Sequence, residues 1–229
     1  MRWLLTMTVG ALATPVFAGE NDAEKLFRQM EKKVKASKTI QIRFELTMMF
    51  FGTDATLKGT MVFGEADKLR LDAKGSMGGK DINVTAIGDG TKMHLIDREK
   101  SDTKVESSPK GVGDYFRAVL PRIGIFSGIE DASRGKDLPN VDEYFKVSDF
   151  KLGAKEKVGT AETRVVEYTV LFRGKDKGSV KVWINTKTSL PAKLQIRAEA
   201  GGITIEITET YTEYALDGKL DAKQFEAPK

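Results

Sequence analysis

His94 is the only histidine among 229 residues, and there is no cysteine. Those two counts settle most of the chemistry open to the chain. Transition-metal sites draw on imidazole and thiolate ligands, so one is nearly excluded. His94 sits in "KMHLID", on a strand between Met93 and Leu95. A hydrolytic base needs a nucleophile and an orienting carboxylate beside it. The obvious serine, Ser127 in "GIFSGI", lacks the glycine two residues earlier that a nucleophile elbow uses. "KGSMGGKD" offers Asp81 where a phosphate-binding loop needs Ser or Thr. "DREKSDTKVE" has neither the glycine nor the ligand spacing of a calcium loop. Asp142-Glu143 reads as loop charge, because sequence distance cannot identify a glycosidase carboxylate pair. None of these residues calls for an enzyme or a cofactor.

Apolar recognition is the chemistry left. "LTMMFFG" (Leu46–Gly52) sets two methionines and two phenylalanines in succession. Methionine adapts to irregular apolar surfaces, which suits a site for chains of variable shape. The same stretch would also make an ordinary strand at the rim of a core. Either role requires elements that fix its two faces.

The elements follow from periodicity. Over Asn21–Ser37, Ala23, Leu26, Phe27, Met30 and Val34 form one apolar stripe, so a helix is predicted. Asn21 with Glu24 resembles a capping box, and Arg28, Lys32 and Lys35 form a wet or anion-facing opposite side. The period then becomes two: Ile40, Ile42, Phe44, Leu46 and Met48 alternate with polar residues. Further strands are predicted around Leu57–Phe63, Lys68–Ala73, Ile82–Ile87, Lys92–Asp97 and Thr103–Ser107. Tyr144–Leu152, Thr163–Phe172, Ser179–Asn185, Ala192–Ala200 and Ile203–Tyr214 complete an antiparallel meander with one apolar face. Gly111–Ala132 breaks this pattern. Val112, Tyr115, Phe116, Val119 and Leu120 have helical spacing, then Pro121 interrupts and Ile123, Ile125 and Phe126 continue. It is either a core helix kinked at the proline or an apolar lid hinged on proline and glycine. In "WINTKTSLPAKLQI", Pro191 lacks a ladder donor and must lie at an edge, a bulge or the mouth of a turn.

The first residues read as a secretory signal: Arg2, an apolar run from Trp3, Pro15, then Val16-Phe17-Ala18, with cleavage expected after Ala18. Residues 19–229 are then a single exported domain. Without a cysteine to carry a lipid, no anchor is expected after cleavage. The net charge is +4 with Arg2 and so +3 without it, too small and too dispersed for nucleic acid.

Several of these stretches resemble one family, the LolA-like periplasmic carriers of outer-membrane lipoproteins, with their LolB-like and RseB-like relatives. "VWINTKTSLPAKLQI" is similar to its strand, Lys-Thr turn and Leu-Pro pattern, here Asn185, Lys187-Thr188 and Leu190-Pro191. Phe225 with Pro228 resembles its late F-x-x-P end. "LKGTMVFGEADKLRLDA" and "AIGDGTKMHLID" look like its second strand and its D-G hairpin. The resemblance implies a mostly β, α+β fold: an open, strongly curved antiparallel half-barrel, with the N-terminal helix and a helical lid over the concave face. It implies acyl chains of lipoproteins or lipids bound in that cavity, handed from an inner-membrane transporter to an outer-membrane acceptor by a monomeric carrier. The alternative is an RseB-like module that binds a protein partner. The expected lining is Phe44, Leu46, Met48, Met61 and Phe63, with Phe116, Leu120 and Ile123 from the lid. Met49, Phe51 and Val62 replace the strand members if the register is reversed. Phe116→Asp is expected to lower acyl binding with the sheet intact. The family latches its lid with an arginine in the turn after the second strand. Here that turn is Gly64-Glu65-Ala66-Asp67, which leaves Lys68 as the candidate substitute.

Overall fold

A computed structural model describes residues 21–227, apart from 51, 133–136, 173 and 201. The expected signal segment and Pro228 lie outside the described residues. Helix α1 (Asp22–Lys35) begins at Asn21, whose side chain accepts the Glu24 amide as the capping pattern predicted. Its buried face carries Ala23, Phe27, Met30 and Val34.

Eleven strands follow: β1 (Ile40–Phe50), β2 (Thr53–Phe63), β3 (Lys68–Met77), β4 (Lys80–Asp89), β5 (Lys92–Asp97), β6 (Asp102–Ser107), β7 (Phe145–Val158), β8 (Ala161–Phe172), β9 (Asp176–Asn185), β10 (Pro191–Ala200) and β11 (Ile203–Leu216). They form one antiparallel sheet in the order β6-β5-β4-β3-β2-β1-β11-β10-β9-β8-β7. β6 and β7 do not meet, so the half-barrel stays open. Two meanders, β1–β6 and β7–β11, are thus joined at a central seam between β1 and β11. Between them run α2 (Val112–Ala132) and a short helix α3 (Val141–Tyr144), capped by Asn140. The charged pair Asp142-Glu143 lies on α3 and not in a loop.

Local chemistry explains the corners. In the β4–β5 turn, Asp89 accepts the Thr91 and Lys92 amides and the Thr91 hydroxyl. Those donors hold its carboxyl down at about 2. Pro191 is the first residue of β10, pairs with Ile184 and is followed by a bulge before Lys193. Pairing with β11 begins only at Lys193. The proline therefore stands at the mouth of the turn and at a bulge, where no ladder bond to β11 is asked of it.

The convex face has its own small cluster. The 3₁₀ turn Ala222–Phe225 lies on β3 and β4, with the Phe225 ring against Gly64. Arg70 donates to the Gln224 carbonyl at 3.0 Å and pairs with Asp72. Phe225→Ala should therefore cost about 3 kcal/mol, the bottom of the range for a buried phenylalanine, since this cluster is small. Urea unfolding would read it as a lower midpoint at an unchanged slope.

Candidate ligand-binding site

Cross-strand partners share a face, so the registers define rows of side chains across the concave surface. One row runs Ile42, Met61, Leu71, Ala86, Leu95, Lys104. Exposure rises along it from 0 % at Ile42 through 9 % at Leu71 to 39 % at Leu95. Met93 and Val84, in adjacent rows, are half-buried. The helices cover the seam and the β7–β10 wing, and that cover runs out toward β5. An apolar floor is left partly open there.

The eight expected lining residues converge. Phe44, Leu46 and Met48 of β1, Met61 and Phe63 of β2, and Phe116, Leu120 and Ile123 of α2 belong to one continuous cluster. Each is between 0 and 8 % exposed. The Phe63 and Phe116 rings lie 4.9 Å apart, tilted by 34°. Of the reversed set, Met49 points to solvent, Val62 is buried on the convex side, and Phe51 lies outside the described residues. Two open depressions, of about 500 and 610 Å³, lie along α1 and do not involve these eight.

α2 is more than a cover. From Val112 to Ile129 only Asp114 is exposed, so the helix is a plug inside the half-barrel. Its break also differs from expectation. Pro121 stays within the helical run, and the chain turns at Gly124, with φ 73° and ψ −166°. That region is essentially closed to residues with a Cβ.

Buried polar contacts tie the plug down along its length. At its start, Asp67 accepts the Gly111 and Gly113 amides at 2.8 and 3.0 Å. Arg117 donates to the carbonyls of Ser37, Lys38 and Gly64. Arg122 donates to Glu31 and Asp142, each at 2.5 Å, and to the carbonyls of Val141 and Phe145. The Tyr168 hydroxyl donates to the Arg122 carbonyl. The latch expected from Lys68 is thus reversed in sign. The turn presents a carboxylate, Asp67, and the arginine belongs to the plug.

The last tie is at the break. Glu209 lies in the concave row Leu46, Glu209, Leu194, Val182, Val166 and is 0 % exposed. Its two oxygens accept the Ile125 and Phe126 amides, both at 2.8 Å, and Tyr211 donates to it at 2.6 Å. The carboxylate thereby caps the second half of α2, where helix amides are free and the dipole is positive. Burial pushes its carboxyl above the ordinary 4.5, against the opposing effect of these three donors.

Glu209 was not among the residues singled out from the sequence, although a signal existed. In "ITIEITETY", Ile203, Ile205, Ile207, Glu209 and Tyr211 share one alternation phase, so a carboxylate occupies an inward position. Arg117 and Arg122 carry no comparable mark, because their partners are chiefly backbone carbonyls remote in sequence. The one pair that might have done acid–base chemistry is not assembled. His94 pairs with Ile87 and Val105 on the convex face, whereas Ser127 belongs to the plug on the concave side. Among the described residues no cluster of potential metal ligands occurs.

What this site offers is apolar surface covered by α2. Comparison of structures returns chains of low sequence identity. The lipoprotein LppX of Mycobacterium tuberculosis matches over 82 % of this chain and 94 % of its own, at 13 % identity and TM-score 0.47. The MucA/MucB complex of Pseudomonas aeruginosa matches over 91 % of this chain at 14 % identity and TM-score 0.45, and this chain spans 62 % of that one. A LolA superfamily protein from Nitrosomonas europaea matches over 90 % of this chain and 97 % of its own, at 11 % identity and TM-score 0.38. No family model and no curated protein matches the sequence.

Proposed function

We propose that the protein is a periplasmic carrier that binds the acyl chains of lipoproteins or lipids on its concave face, with α2 as the element they displace. The observation that carries this reading is the row from Ile42 to Leu95, an apolar floor that passes from a plugged interior to an open wing. Acyl burial gains ~0.8 kcal/mol per methylene. One chain of ordinary length therefore gains roughly 10 kcal/mol before ordering costs. Unopposed, such a ligand would scarcely leave. Phe116, Leu120 and Ile123 of the plug compete for the same surface, so the exchange is nearer balance and cargo can be handed on without an energy source. The mechanism is sequestration, with no reacting groups in the site.

The structure changes which variant tests this. Phe116 is too deeply buried for an aspartate, which would unfold the core and not merely spoil binding. Leu95 serves instead, since its exposure lets Leu95→Asp fold while charging the open floor. Native mass spectrometry of protein taken gently from its own envelope should show diacyl adducts. Leu95→Asp should lower their occupancy several-fold. A clean apo mass, with no uptake of offered diacyl lipid, would sink the carrier reading. It would favour a partner-binding module of the RseB-like kind, for which the filled interior already speaks.

A further inference from the structure

β6 is an edge strand whose six side chains are all exposed. Its backbone polarity can be worked out residue by residue. The Ser108 amide bonds the Thr91 carbonyl, continuing the register in which Lys92 faces Ser107. In an antiparallel ladder, hydrogen-bonded and non-bonded pairs alternate. Met93–Glu106, Leu95–Lys104 and Asp97–Asp102 are therefore the bonded pairs. The amides and carbonyls of Thr103, Val105 and Ser107 point outward, away from the sheet. The Arg98 amide bonds the Asn83 carbonyl, which turns residues 94 and 96 toward β4 and agrees with this assignment.

We propose that this edge pairs with the same edge of a second copy, antiparallel and centred on Val105. Only registers that match outward groups with outward groups can form bonds, and two of these, centred on Lys104 and on Val105, overlap by five residues of β6. Centred on Lys104, the pairing sets lysine against lysine and Asp102 against Glu106. Centred on Thr103 or on Glu106, the overlap falls to three residues. Centred on Val105, the pairing sets Val105 against Val105, Thr103 against Ser107, and Lys104 against Glu106 twice over. Like charges directly opposite destabilise a ladder and opposite charges support it. Of the two five-residue registers, the edge is therefore complementary to itself only in the one centred on Val105.

The two charges are already aligned for this. Lys104 and Glu106 share the concave face of β6 and form an ion pair within the strand. Self-pairing would extend it to an alternating set of four across the twofold axis. That axis stands normal to the sheet, so both concave faces lie on one side. The partly open floors ending at Leu95 in the two copies then run toward each other. A strand of this length buries less than standard protein–protein contacts, so the association belongs to the weak class, with a dissociation constant on the order of 100 μM. This inference rests on the edge alone and stands apart from the acyl-binding reading.

Sedimentation equilibrium of the full mature chain tests it, from roughly 10 to 500 μM, a range that brackets weak association. The expected result is a reversible monomer–dimer equilibrium. Lys104→Glu sets two carboxylates opposite each other at both symmetric positions and should weaken it roughly tenfold or more. Lys104→Glu combined with Glu106→Lys restores the complementarity and should recover the dimer. Val105→Pro removes an outward amide without touching the β5 ladder, and should abolish dimerisation while the far-ultraviolet circular dichroism is kept. A chain that stays monomeric throughout overturns the proposal and leaves the edge to a strand of some other protein. So does a dimer that Lys104→Glu leaves unchanged, or one that the double exchange fails to restore.

Discussion

Gly124→Ala should destabilise the protein by at least about 3 kcal/mol. Two physical terms add here. An alanine held at φ 73° and ψ −166° costs about 1–3 kcal/mol in backbone strain. Its Cβ would also stand 2.5 to 2.8 Å from the carboxylate atoms of Glu209. Either the glutamate swings away or the plug does, and in both cases the Ile125 and Phe126 amides lose their acceptor at about 1–3 kcal/mol each. Urea unfolding measures the loss, and hydrogen exchange should place it in the second half of α2. If displacing the plug admits cargo, the same variant takes up diacyl lipid faster than the parent chain.

Glu209 gives this clamp a pH signature whose sign is fixed by its buried carboxyl. With the folded pKa above the ordinary 4.5, the native state keeps a proton that the unfolded chain has already lost. Stability therefore falls as pH rises from 4.5 through the folded value, and the fall ends beyond it. Glu209→Gln has no such proton and should lack that component of the slope. Parallel curves of urea midpoint against pH for parent and variant would show that some other group titrates.

Arg122→Met is the second large effect, with about 3–5 kcal/mol expected. The guanidinium is 4 % exposed and serves four acceptors at once: Glu31, Asp142 and the carbonyls of Val141 and Phe145. Removing it leaves those acceptors facing an apolar chain. Glu31, itself buried, retains Arg28 and Lys35 as partners, which sets the loss toward the lower part of that range. Combining Arg122→Met with Glu31→Leu should recover much of the deficit, since a buried ion pair gains little over apolar packing but is costly to break. A double-mutant cycle by urea unfolding gives the coupling directly. Additive losses would mean that Arg122 acts through the α3 carbonyls alone.

Strand and helix positions were legible because alternation and the 3.6-residue stripe are local. Ile40 through Met48 and Ala23 through Val34 display the face they bury in their own order. The eight residues expected to line a cavity followed from the same phases, and they belong to one buried cluster. What stayed hidden depends on long-range partners. Arg117 reaches carbonyls some 80 residues away, and any residue type could supply those. Asn140 caps α3 in "PNVDEYF", a start signal that was visible but overshadowed by the adjacent acidic pair. At the break, the proline and the glycines of the segment were candidate hinges together, and only the backbone angles at Gly124 mark the turn. Glu209 lay in plain view as a charge in an apolar phase.

The central seam also carries a consequence for the order in which the chain folds. Each meander needs only hairpin closures between neighbouring strands, events of the microsecond class. The β1–β11 ladder instead joins residues near the two ends of the chain, from Ile40 against Leu216 to Met49 against Glu206. Such non-local pairing is slow, because the closure entropy comes before its reward. The wings should therefore form early and the seam last. Leu46 and Glu209 face each other across that seam, so the acceptor for the plug is assembled in the final step. Before it, the apolar row of each wing stands open to water, and in that interval the chain is most exposed to aggregation.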